Sequence, residues 1–81
     1  MENKIAVIGI VIIDKNKAVK YVNTILSDFS ESIIGRMGIP YKERNLSVIS
    51  IIVDANTDTI GSLTGKLGNI KGVKVKVAFT Y

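Results

Sequence analysis

The sequence predicts an α+β fold in which a four-stranded antiparallel sheet carries two helices on one face. Three observations support this: two long β-branched runs, KIAVIGIVII (Lys4 to Ile13) and LSVISIIV (Leu46 to Val53), an apolar stripe at helical spacing after each run, and a strictly alternating end, GVKVKVAFTY. The apolar period changes from 2 to 3.6 and back along the chain, and each change marks where one element gives way to the next.

Taken in order, Lys4 to Ile13 is an almost unbroken apolar run, the pattern of a strand buried on both faces, so it is placed in the middle of the sheet. Asp14 then caps a helix whose Ala18, Val22, Ile25, Leu26 and Phe29 share one face, with Lys15, Lys17, Lys20 and Tyr21 turned toward solvent. A shorter strand is expected around Glu31 to Met37, then a long connection through GRMGIPYKERN (Gly35 to Asn45), then the second β-prone run. Asn56 or Thr57 caps a second helix with the stripe Ile60, Leu63, Leu67 and Ile70. Gly72 interrupts the chain, and the last strand sets Val73, Val75, Val77 and Phe79 on one face and Lys74 and Lys76 on the other. The order β-α-β-β-α-β is the ferredoxin-like split βαβ arrangement, which puts the first and third strands, the most apolar ones, in the centre.

Eighty-one residues fit a single domain, 1–81, near the lower size limit for folding alone, because so short a chain buries only about 60 to 65 per cent of its unfolded surface. The chain has no cysteine and no histidine, which excludes disulfides, thiolate and imidazole metal ligands, and Cys-His or Ser-His-Asp nucleophile systems. No metal and no cofactor is expected. The first apolar run is far shorter than the roughly 20 residues that span a bilayer and ends in Asp14 and Lys15, so the expectation is a soluble, cytoplasmic protein without a membrane partner. A net charge of +4 suits an anionic partner, but the eleven basic residues are interleaved with seven acids and spread along the chain.

Two helices cover only one face of such a sheet, so either Ile5, Val7, Val11 and Ile13 or Ala6, Ile8, Ile10 and Ile12 must point away from them. The resulting patch exceeds what soluble monomers usually leave open, and a homo-oligomer, a dimer or tetramer packed sheet against sheet, is expected to bury it. Ile8, Ile10 and Ile12 are taken as its interface residues. Gly61 and Gly65 join them, because Gly61, Gly65 and Gly68 recur at i, i+4 and i+7 and form a smooth strip along the second helix, each at a helix cost of about 0.5 to 1 kcal/mol relative to alanine. Something is expected to approach that strip closely, either the sheet or a neighbouring subunit.

The segment Gly61-Ser-Leu-Thr-Gly65-Lys66-Leu67 superficially resembles a phosphate-binding P-loop, but its spacing is one residue short and Leu67 stands where a magnesium-binding Ser or Thr belongs. Gly65-Lys-Leu-Gly68 matches the GXXG of nucleic-acid-clamping loops in the wrong order of elements. The stretch Gly35 to Asn45 is more informative, because it gathers two glycines, the only proline and both arginines. Glycine and proline mark bends, while Arg36, Lys42 and Arg44 carry groups that grip carboxylates and phosphates. Arg36, Tyr41, Lys42 and Arg44 are therefore the candidate ligand contacts, with Asp14 and Lys15 from the first turn. Glu31, Glu43, Asp54 and Asp58 show no acid–base spacing, so no catalytic residue is assigned and the chain is not expected to be an enzyme.

The segments IGRMGIPYKERNLSVISIIVD and TDTIGSLTGKLGNIKGVKVK resemble the family of iron-only hydrogenase system regulators, small ACT-like proteins likened to the C-terminal domain of the nickel-responsive regulator. The resemblance implies an ACT-like fold and a regulatory role, transcriptional or otherwise, exerted by an oligomer that senses a small anionic or amino-acid effector or engages a protein partner. The nickel-responsive regulator draws histidine and cysteine ligands from its second and third strands; here Met37 is the only soft ligand in that stretch, so no nickel site is expected. Direct DNA binding is not expected either, because 81 residues leave no room for that regulator's ribbon-helix-helix domain. The alternative is a basic nucleic-acid-binding protein using Lys74 and Lys76, whose affinity would fall steeply with salt.

Overall fold

The computed structural model describes residues 2–13 and 15–81, with the side chains of Lys15 and Asn16 outside the description. The elements run β1 (Lys4–Ile12), α1 (Lys15–Asp28), β2 (Ile33–Tyr41), β3 (Leu46–Ala55), α2 (Thr57–Gly68) and β4 (Val73–Phe79), with single 3-10 turns at Ser30–Ser32 and Lys42–Arg44. The sheet order is β2-β3-β1-β4, and every neighbouring pair is antiparallel. The two most apolar strands therefore hold the centre, as their composition requires.

Register decides which face is the core. Ile8 lies opposite Ile51 and Val77, and Ile10 opposite Ile49 and Val75, so the even positions of β1 share a face with the odd positions of β3 and β4. Onto that face pack Ala18, Val22 and Leu26 of α1 and Ile60, Leu63 and Leu67 of α2. Both helical stripes fall where the spacing puts them. Asn56 caps α2, its side-chain Oδ1 accepting the Thr59 N–H at 2.8 Å. The expected Asp14 cap on α1 lies outside the described residues.

Two sequence readings are corrected. Ile8, Ile10 and Ile12 are 0 % exposed beneath the helices and form no outer interface; the outward set is Ile5, Val7, Val11 and Ile13. The physical reason is the occupant of position 9: the even set is an unbroken row of Ala6 and three isoleucines, whereas Gly9 interrupts the odd set, so covering the even set removes more apolar area from water.

The expected long connection is also mostly strand. β2 continues to Tyr41 and pairs with β3 through Tyr41 opposite Leu46, leaving a tight link through Lys42–Arg44 and Asn45, which sits at a left-handed φ of 54°. Proline is tolerated at position 40 because β2 is an edge strand, and the Gly35 region absorbs a register shift between Ile33 and Gly35. Gly72, at φ 84°, makes the turn into β4. Among the described residues, no helix is long and apolar enough to cross a membrane.

Candidate functional site

Past its irregularity, β2 presents Arg36, Gly38 and Pro40 toward the helix side, opposite Ile51, Ile49 and Ser47. None of the three is a large apolar group, so α1 does not close onto this edge of the sheet. A cleft results. One hollow of about 200 Å³ lies among Val19, Asn23, Gly38, Pro40 and Ser47. A second, of about 310 Å³, lies among Leu26, Ser27, Ser30 and Ile33. Asn23 and Arg36 line both.

Arg36 reaches across from β2 to α1, its Nη2 donating to Asn23 Oδ1 at 2.8 Å. A guanidinium carries five N–H donors, and Asn23 is a neutral acceptor that takes up one. Among the described residues this is the hydrogen bond the Arg36 side chain makes, and the residue is otherwise exposed at the edge of the cleft. A guanidinium can grip a carboxylate or phosphate in a bidentate manner, and Ser27 and Ser30 line the same hollow as Arg36.

The other candidates fall elsewhere. Tyr41 ends β2 on the opposite face of the sheet, and Lys42 and Arg44 lie in the exposed turn that follows, so they do not converge with Arg36. Asp14 and the side chain of Lys15 lie outside the described residues. Among the described residues no group of three His, Cys, Asp or Glu is placed to hold a metal ion. Sequence reasoning missed Asn23, Ser27 and Ser30. Asn23 and Ser27 stand at i and i+4 on one flank of α1, a polar pair that could have been found by its spacing, whereas Ser30 follows in the 3-10 turn after the helix and carries no such signal.

Two further surfaces stand open. Along α2, the groove beside β4 has a volume of about 590 Å³ and is lined by Gly61, Gly65 and Gly68 and by Val73 to Val77. A Cβ placed on any of these glycines would meet nothing within 4 Å, so the sheet does not approach the strip as one of the two expectations held. On the sheet face away from the helices, Lys74 and Lys76 accompany Val7, Val11, Val48, Ile52, Met37 and Ile39, so these cations border an apolar field rather than form a basic patch.

The family model described as "TM1266-like: Iron-only hydrogenase system regulator, putative" matches residues 4–77. The chain belongs to the TM1266-like family. Its fold superposes on uncharacterized protein TM1266 from Thermotoga maritima with a TM-score of 0.96 at 41% identity, covering 99% of this chain and 100% of that one. The ACT domain from the GTP pyrophosphokinase of Chlorobium tepidum is similar at a TM-score of 0.77 and 24% identity over 94% of this chain and 99% of that chain. An ACT domain protein from Streptococcus pneumoniae follows at 0.65 and 15% identity over 94% and 89% of the respective chains. No curated protein matches. The family match agrees with the regulatory class that the resemblance implies, and the ACT domains share its fold.

Proposed function

We propose that this chain is a non-enzymatic, ACT-like regulatory module that senses a small anionic effector, a carboxylate-bearing molecule such as an amino acid or a phosphate compound, in the cleft between α1 and β2. The observation that carries the reading is Arg36, which spans the cleft on a neutral partner and keeps most of its donors available. Family membership supports a regulatory output directed at an iron-only hydrogenase system, transcriptional or otherwise. That output passes through a protein partner that reads the state of the cleft. A bound anion would replace or share the Asn23 contact, drawing β2 and α1 together, and this movement is how occupancy would reach the surface.

The test begins with native mass spectrometry of the protein purified from its own cells, which reports any retained effector by mass. Titration calorimetry with inorganic phosphate and a panel of amino acids then follows on the wild type and on Arg36→Gln. Binding that is lost in the variant supports the site. Binding equal in both proteins, or no binding of any panel member together with no retained mass, rejects it.

A further inference from the structure

We propose that the open face of the sheet is a two-fold interface with a second copy of this chain, oriented so that β4 of one copy lies over β2 of the other. Met37 is 62 % exposed, Ile39 52 %, Ile52 40 % and Val48 37 %, although the last two belong to a central strand. No element of this chain covers them, because both helices lie on the other side.

The area matches what a second copy supplies. Four strands about 4.8 Å apart and roughly seven residues of about 3.4 Å rise give a footprint of about 19 by 24 Å. Two such footprints come to about 900 Å², and pleating raises the accessible area they remove toward the roughly 1,200 Å² at which specific protein interfaces begin. A peptide would leave much of the face wet, whereas a second copy brings an equal apolar field.

Charge selects the orientation. Across the sheet, register places Ile39, Val48, Val11 and Lys74 in one row and Met37, Ser50, Gly9 and Lys76 in the next. The lysines thus occupy the β4 rim, and the β2 rim of both rows is uncharged. A two-fold axis across the strands would stack β4 on β4 and confront four ammonium groups at the sheet spacing of about 10 Å. An axis along the strands sets Lys74 over Ile39 of the second copy and Lys76 over its Met37. There the methylene stems pack on apolar groups while the ammonium heads reach water past the edge strand. The chain's own β2 rim is therefore the uncharged counterpart that its lysine rim requires.

Sedimentation equilibrium of the full chain at micromolar concentration is expected to give twice the chain mass. Val48→Lys, and separately Ile52→Gln as a milder change, should weaken the dimer at least tenfold while keeping the far-ultraviolet circular dichroism of the folded chain. The natural absence of cysteine allows the orientation to be read directly. An equal mixture of Ile39→Cys and Lys74→Cys chains, treated with a maleimide linker of about 10 Å reach to match the sheet spacing, should give the mixed cross-linked pair and little Lys74→Cys self-pair. A monomer at micromolar concentration, or a dimer unaffected by both face variants, overturns the interface. A dominant Lys74→Cys self-pair overturns the orientation.

Discussion

Ile51 and Ile52 are chemically identical neighbours on β3 with opposite surroundings: Ile51 is 0 % exposed under the helices and Ile52 is 40 % exposed on the open face. The same contrast runs down β1, where Ile8, Ile10 and Ile12 are sealed while Val7 and Val11 lie only half-buried beside Gly9. The comparison teaches that residue type in this chain does not report function. β-Branched residues saturate both faces; one face is packed under the helices, and the other stands open.

The largest expected effect separates the two faces most sharply. Ile51→Ala should lower unfolding free energy by about 2 to 5 kcal/mol, the usual range for emptying a packed isoleucine site, whereas Ile52→Ala measured at concentrations low enough to keep the chain monomeric should cost less than about 1 kcal/mol. Urea unfolding of the two variants side by side is the check, and equal losses would end the distinction.

Next comes the helix that seals the inner face. Asn56→Ala removes the acceptor of the Thr59 N–H and should destabilise by about 1 kcal/mol, whereas Asn56→Ser should restore most of that. A thermal melt of both variants tests whether α2 depends on its cap or is held by Ile60, Leu63 and Leu67 alone.

Gly65→Ala sharpens the contrast in the other direction. Its Cβ enters open space, so the variant should gain up to about 1 kcal/mol from helix propensity. A loss of stability that grows with protein concentration would mean that a second copy uses this groove as well. The smallest effect is expected at Arg36, an exposed side chain whose change to glutamine should alter stability by no more than about 0.5 kcal/mol while abolishing anion binding in the cleft.

Much of the fold was legible because it rests on periodicity. The stripes of α1 and α2, the Asn56 cap, the Gly72 break and the central placement of β1 and β3 all follow from spacing and residue type. The length of β2 was not legible, since Gly35, Gly38 and Pro40 read locally as a loop. Only pairing along β3 and an unpaired outer edge make a strand of them. The candidate site was half legible. Arg36 stood out by its chemistry, but Asn23 is 13 residues away and joins it only through the packing of α1 beside β2. Tyr41, Lys42 and Arg44, though close to Arg36 in sequence, are carried to the other face or to the end of the strand, because side chains alternate and each residue advances about 3.3 Å.

The amino-acid sequence by itself determined the element order, the central strands, the helical stripes and the exclusion of histidine and cysteine chemistry, all of which are local properties of spacing and composition. Which face of the sheet became the core, how far β2 extends, and which polar groups meet across the α1–β2 cleft were decided only in the tertiary structure. The reason is that a β-strand offers two faces of nearly equal apolar character. Only the register between strands and the side on which the helices settle convert that near-tie into one buried face and one open face.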